Sequence, residues 1–296
     1  MRIAVVDVGG TSIKSGMWED GTIKDVRETD TNAKLGGVHV MQTVIGILKG
    51  YEDFQAVGIS TAGQVDTEKG MILYANENIP GYTGTKIREN IESVFHVPAA
   101  VRNDVNSAAA GEAFCGAGRE QKDFLCLTYG TGVGGAIVID GEVYNGFGYS
   151  AGEFGGIVTH PEDRVPEKDL FSGCYERYAS TTALVQRVSG RFPELKNGRE
   201  IFAKKDDPEV KELIGQWIDE IVYGLITLVH IFNPGMIILG GGIMEQDYVV
   251  GRVREQLEKH IMPSFRNVKI VQAQLGNMAG MLGAAQAAQR EYEKRQ

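Results

Sequence analysis

The chain has 296 residues, 43% of them hydrophobic and 23% charged, and its 30 lysines and arginines against 39 aspartates and glutamates leave a net charge of −9. That length suits two domains of ordinary size, and the make-up excludes a disordered or fibrous chain. The acidic balance argues against a general binder of nucleic-acid backbones, and no stretch approaches a bilayer span.

The opening MRIAVVDVGG reaches Asp7 and two glycines before an apolar signal core and cleavage site can form, so a cytoplasmic protein is expected. Cys115, Cys126 and Cys174 are isolated and follow no paired spacing, which fits free thiols in a reducing compartment. Ile3 to Val8 reads as a buried strand and Ile13 to Trp18 as its hairpin partner across a Gly-Gly-Thr-Ser turn. Helical spacing of Val40, Val44, Ile47 and Leu48 predicts a helix over 36–49, and Ala56 to Ile59 a short strand. Lys86 to Phe95 suits a helix, Ala99 to Arg102 a strand, and the alanine-rich Ser107 to Phe114 a helix.

The pattern then begins again. Phe124 to Tyr129 reads as a strand, a glycine turn follows, and Gly135 to Ile139 returns, echoing the N-terminal hairpin and suggesting two related halves. Residues 212–232 form a long helix with Ile218, Ile221, Val222, Leu225, Leu228 and Val229 on one side; Met236 to Leu239 is a buried strand; a last helix covers roughly 278–293. Gly116 and Gly118 mark the domain boundary, giving an N-terminal domain 1–117, joined by the last helix within 279–296, and a C-terminal domain 118–278. The 39 glycines, against a usual share of about 7%, collect at 9–10, 130–135, 146–156 and 240–242, beside apolar runs, as strands ending in tight loops do.

These loops carry the chemistry. Asp7, Gly9, Gly10 and Thr11 place an acid at a strand end, two glycines that let backbone approach a phosphate, and a hydroxyl donor; Asp7 suits a hydrated Mg2+, and Lys14 adds a point charge. A plain hairpin turn has the same form. Gly130, Thr131, Gly132 and Gly134 repeat the geometry, and two such turns suit a polyphosphate nucleotide gripped at two places. Neither turn is a P-loop, and no Gly-x-Gly-x-x-Gly opens a strand-to-helix dinucleotide fingerprint. Gly240, Gly241 and Gly242 form a third turn, suited either to an adenine ring or to a close-packed strand-to-helix link. Asp104, after the strand Ala99 to Arg102, stands where a general base would take the proton of an attacking hydroxyl in phosphoryl transfer, while Asn103-Asp104 also suits a helix N-cap. Glu153 and Glu176, among glycines and aromatics, are either acceptors for sugar hydroxyls or solvated loop acids.

Taken together, Asp7 to Thr11, Ser60-Thr61-Ala62-Gly63-Gln64-Val65-Asp66, Asn103-Asp104 with its alanine-rich helix, Gly130 to Gly135, Gly152-Glu153 and Gly240 to Gly242 give a chain that resembles, nearly end to end, the bacterial ROK family of repressors, open reading frames and sugar kinases. The resemblance implies an α/β fold of two ribonuclease-H-like domains of the actin, Hsp70 and sugar kinase superfamily, with a cleft between them that takes ATP and a hexose. It implies Asp104 as catalytic base, Asn103 and Glu153 as sugar ligands, Gly63 and Glu176 at further sugar contacts with Asn76 or Asn78 nearby, and a homodimer. Neither nucleic acid nor a membrane is an expected partner.

The chain departs from the family where many members hold a structural zinc through one His and three Cys. Gly156 stands at the His position and Glu167 and Asp169 at the first two Cys positions, leaving Cys174; a closed zinc site takes four ligands, so no zinc is expected, although His160 lies four residues on. In relatives that missing His touches the sugar near its anomeric end, so Gly156 leaves space there. The expected activity is ATP- and Mg2+-dependent phosphorylation of the 6-hydroxyl of a hexose or hexose unit, extended to β-glucosides. N-acetylmannosamine kinase, glucokinase and a non-enzymatic sugar-sensing regulator are the alternatives.

Overall fold

The computed structural model describes residues Met1–Gln296. Contacts divide the chain into one unit of Met1–Glu120, Gly141–Ala151 and Asn277–Gln296 and a second of Gln121–Asp140 and Gly152–Gly276. In chain order, the first unit's opening stretch forms β1 (Arg2–Val8), β2 (Ser12–Glu19), β3 (Thr22–Asp30), α1 (Gly37–Leu48), β4 (Ala56–Thr61), β5 (Gln64–Asp66), β6 (Met71–Tyr74), α2 (Ile87–Phe95), β7 (Ala99–Asn103) and α3 (Asp104–Cys115). The chain continues through β8 (Phe124–Tyr129), β9 (Val133–Ile139), β10 (Glu142–Val143), α4 (Glu176–Ala179), α5 (Thr181–Ser189), α6 (Gly198–Ala203) and α7 (Pro208–Phe232). It ends with β11 (Met236–Gly240), α8 (Asp247–His260), β12 (Lys269–Gln272) and α9 (Ala279–Lys294). No helix is long and apolar enough to cross a membrane.

The first sheet has the order β3-β2-β1-β4-β7 and the second β10-β9-β8-β11-β12. In the first, β1–β2 and β2–β3 are antiparallel while β1–β4 and β4–β7 are parallel. In the second, β8–β9 is antiparallel and β8–β11 and β11–β12 are parallel. Each sheet therefore repeats one topology, an antiparallel hairpin followed by parallel strands on its far side. This is the ribonuclease-H-like arrangement, and it extends the likeness between halves from two strands to five.

Burial explains the strand sequences. The central strands β1, β4, β8 and β11 are buried at nearly every position, with β4 buried at all six and β11 at all five, as strands covered on both faces are. On one face of the first sheet, Val40, Val44 and Leu48 of α1 and Ile87 and Ile91 of α2 join Val6, Val8 and Ile59 in the core. On the other face lies α9, whose Ala279, Gly283, Ala284, Ala285 and Ala288 are buried. Small residues are required there: a Cβ on Gly58 would strike the Ala284 carbonyl, one on Gly111 the Ala279 carbonyl, and one on Gly283 the Ser107 carbonyl. The alanine run of α3 is thus a close-packing surface against α9.

The structure differs from expectation in identifiable places. Strand β3 carries TIKDVRETD, almost wholly exposed at the sheet's edge, and gives no hydrophobic alternation to read. Helix α3 begins three residues before Ser107, because Asn103 caps it and Asp104 is its first residue. Helix α7 begins at Pro208, with Asp207 as cap, ahead of the start expected at 212, because its first turn holds a proline, an acid and a lysine around the single apolar Val210, too little for a periodic face. Segment Gly141–Ala151, expected within 118–278, groups with the first unit, where Glu142 pairs with Arg290 of α9.

Candidate active site

In the first unit the expected residues lie at the carboxyl ends of three adjacent parallel strands, where ligands of open α/β sheets bind. Strand β1 leads into Gly9 to Thr11, β4 into Gly63, and β7 into Asn103 and Asp104. Gly9 closes the first turn by donating its N–H to the Ser12 carbonyl at 3.0 Å, and the Thr31 hydroxyl donates to the Gly9 carbonyl at 2.7 Å. Gly10 is exposed, with nothing within 4 Å of where a Cβ would stand, so its backbone is open to a ligand. Thr11 is exposed beside it. Lys14 is the register partner of Asp7 across the hairpin.

The Asp7 carboxylate accepts a hydrogen bond from the Ser60 hydroxyl at 2.5 Å. Burial raises its pKa, with Ser60 and the Lys14 charge acting against the rise. Such a carboxyl, desolvated beside an open glycine turn, fits a cation that would restore its charged form. The sequence marks Ser60 only as part of the Ser60-to-Asp66 motif and gives it no partner. Its place follows from the pairing of Asp7 with Ser60 across β1 and β4, which no local spacing encodes.

Asp104 opens α3 and its Oδ1 accepts from the Val105 N–H at 2.9 Å. Burial pushes its pKa up to about 6, the Asp7 charge adds to the rise, and the Val105 N–H opposes it. A helix N-terminus favours the anion, so the observed direction means that desolvation dominates. A base poised near neutrality suits proton removal from a hydroxyl. Asn103 is the cap: its Oδ1 accepts from the Val105 and Asn106 N–H groups at 3.0 and 3.1 Å, and its Nδ2 donates to the Gly63 carbonyl at 2.9 Å. Asn103 is therefore the cap of α3, and its amide ties the start of that helix to the β4–β5 turn. Gly63 has φ 95°, and a Cβ on it would stand 2.9 Å from the Tyr74 carbonyl. Asn76 and Asn78 are both exposed, and Asn76 Oδ1 accepts the Asn78 N–H at 3.1 Å.

In the second unit, Gly130 and Thr131 are exposed between β8 and β9, and the Gly130 N–H donates to the Gly132 carbonyl at 3.0 Å. Gly134 lies within β9, paired with Thr128, so the turn proper is Gly130 to Gly132. Gly240 pairs with Thr128 in parallel, which brings the third glycine turn beside the second at the carboxyl ends of β8 and β11. Gly241 has φ 98°, and a Cβ there would strike the Tyr129 carbonyl; around Gly242 nothing lies within 4 Å.

Burial raises the pKa of Glu153, and the Glu176 charge adds to the rise. Burial likewise raises Glu176, while the Arg177 charge and the Val133 N–H oppose the rise. Two neighbouring carboxylates are strong acceptors for ligand hydroxyls. At exposed Gly156 an added Cβ would meet only Phe171, at 3.8 Å. The residues around the departed zinc positions have protein partners: Cys174 Sγ accepts from Arg164 at 3.4 Å, and Asp169 pairs with Arg177 at 2.8 Å. His160 sits between Glu162 at 3.1 Å and Glu220 at 2.8 Å and stacks on Tyr178. His160, Glu162 and Asp163 converge within 4.8 Å.

Residues 3–291 match the ROK family model. The chain is 32% identical to a β-glucoside kinase from Listeria monocytogenes over 96% of each chain. A ROK family glucokinase from Streptomyces griseus, solved with glucose and AMPPNP, is 29% identical with a TM-score of 0.83, covering 98% of this chain and 100% of its own. A Listeria monocytogenes structure described as a candidate N-acetylmannosamine kinase is 28% identical with a TM-score of 0.87, over 100% of this chain and 99% of its own. With its duplicated sheet topology, three glycine turns and capped acid at the end of β7, the chain belongs to the ROK family.

Proposed function

We propose that this ATP-dependent sugar kinase of the ROK family phosphorylates the 6-hydroxyl of a hexose or hexose unit, β-glucosides included. The observation that carries the reaction is Asp104, a half-buried carboxyl whose desolvation pushes its pKa up to about 6, placed just after β7 as the first residue of the helix that Asn103 caps. It accepts the proton of the sugar hydroxyl as that oxygen attacks the phosphorus, with the bond to the leaving phosphate oxygen breaking in line. Backbone N–H groups of Gly9 to Thr11 and of Gly130 to Gly132 hold phosphate oxygens, and Lys14 supplies positive charge. Gly240 to Gly242 carry the adenosine end. Asp7 would hold Mg2+ through water, and the ion would neutralise phosphate charge when bound.

In the first unit Gly63 and the Asn103 amide, with exposed Asn76 and Asn78 as further ligands, hold sugar hydroxyls, and in the second unit Glu153 and Glu176 do so. The open space at Gly156 supports acceptance of a substituent on the anomeric oxygen, and the β-glucoside kinase relative agrees with this. No zinc belongs to this reading, in keeping with the engagement of Cys174 by Arg164 and of Asp169 by Arg177. A cytoplasmic location, free thiols and a homodimer complete it.

The test is ADP release with ATP and Mg2+, without added zinc, across glucose, N-acetylmannosamine, fructose, cellobiose and gentiobiose. Turnover of the disaccharides is expected. Turnover of a monosaccharide alone would remove the β-glucoside extension, and turnover of N-acetylmannosamine alone would favour the relative of that description.

A further inference from the structure

One stretch of the second unit touches the glycine turn between β8 and β9 at every level. Tyr175 is fully buried and its hydroxyl lies 2.8 Å from that of Tyr129, the residue before the turn. Five residues beyond Glu176, the Thr181 N–H donates to the Gly130 carbonyl at 3.0 Å and the Thr181 hydroxyl to the Tyr129 carbonyl at 3.1 Å. Glu176 itself fills the middle of this brace. A Cβ on Gly132 would stand 2.5 Å from Glu176 Oε2, and one on Gly155 would stand 3.1 Å from the same oxygen. The Val133 N–H, the first donor after the turn, acts against the burial that raises the pKa of this carboxyl. Val133 is itself buried, so its N–H needs an acceptor supplied by the protein.

We propose that Glu176, beyond any contact with sugar, is a positioning residue for the nucleotide turn: its carboxylate caps the Val133 N–H and seats against Gly132, fixing the Gly130–Gly132 backbone for phosphate. This rests on the kinase reading, since it takes that turn to bind nucleotide. The packing makes the requirement mutual. Glycine at 132 gives the carboxylate room, and the carboxylate keeps a three-residue turn with two glycines from sampling other conformations. One side chain thereby serves the sugar-binding acids and the phosphate turn.

The experiment measures affinity for ADP and AMPPNP with no sugar present, where a residue that only bound sugar would have no effect. Glu176→Ala is expected to weaken both nucleotides about tenfold, because a buried backbone N–H loses a charged acceptor. Glu176→Gln keeps an acceptor oxygen at the same reach. It is expected to return nucleotide affinity to within about twofold of the parent while the sugar KM stays raised, since charge is lost from that contact. If Glu176→Ala does not fold, Glu176→Asp, one methylene short of Val133, replaces it with the same expected loss. Sugar-free nucleotide affinity unchanged in the shortened variant overturns the proposal with the kinase reading intact. A parent protein that binds neither nucleotide overturns both.

Discussion

Replacing Asp104 by asparagine should disable the enzyme and stabilise the protein at once. The carboxyl's pKa rises from 3.8 to about 6 through burial, with Asp7 adding its charge. A rise of about two units corresponds to roughly 3 kcal/mol between the charged and neutral forms. The folded state binds this proton more tightly than the unfolded chain. Stability is therefore lost as pH rises from about 4 to about 6, and the deficit persists above that range. The substituted amide carries no such charge, keeps an oxygen for the Val105 N–H, and fits the same space. The Asp104→Asn variant should match the parent's unfolding free energy near pH 4 and exceed it by up to about 3 kcal/mol at pH 7.5. Its kcat should fall by about 100- to 10,000-fold, the usual contribution of a general base, while sugar binding is retained. Parent kcat/KM should decline on the acid side of about pH 6, as the base becomes protonated. Thermal unfolding and steady-state rates measured from pH 4 to 8 check both halves. A variant less stable than the parent at pH 7.5, or one within tenfold of its kcat, would refute the reasoning.

Gly156→Leu should lower kcat/KM for cellobiose at least about tenfold more than for glucose, because the new side chain enters the space proposed for the second sugar; the ratio of the two constants is the readout. Gly241→Ala should raise the KM for ATP and lower stability by about 1–3 kcal/mol, since its φ of 98° is unfavourable for alanine and its Cβ strikes the Tyr129 carbonyl. Calorimetry and ATP titration would show both effects. Glu220 and Glu162 raise the His160 pKa against a desolvation that lowers it, so the stabilisation from this pair is full below about pH 6.5 and fades as pH passes the raised value. His160→Gln should therefore lower the melting temperature more at pH 6 than at pH 8.5.

Buried, regular elements are legible in the sequence. Strand β8 can be placed to the residue because its apolar run stops at a glycine, and the α7 face is visible in its helical spacing. Edge strand β3 is not legible, because a strand with no buried face carries no period-two signal. The short β5–β6 hairpin and helices α4 to α6 also escape, being too brief for periodicity to accumulate. In the site, local chemistry marks Asp7, Asp104 and the glycine turns. Ser60 against Asp7, Asn103 against Gly63 and Glu176 against Val133 join residues far apart in sequence. Such partners emerge from strand register and packing, which a linear motif does not contain.

The placement of α9 sets the order in which this polypeptide can mature. Its alanines and glycines complete one face of the first sheet, yet they are synthesised only after every residue of the second unit. During translation, the residues that begin the chain must wait with β1, β4 and α3 uncovered, while the stretch from β8 to β12 is already complete. The half made first should thus be the half that folds last. A nascent chain arrested before residue 277 should resist protease in its second unit and be cut in its first.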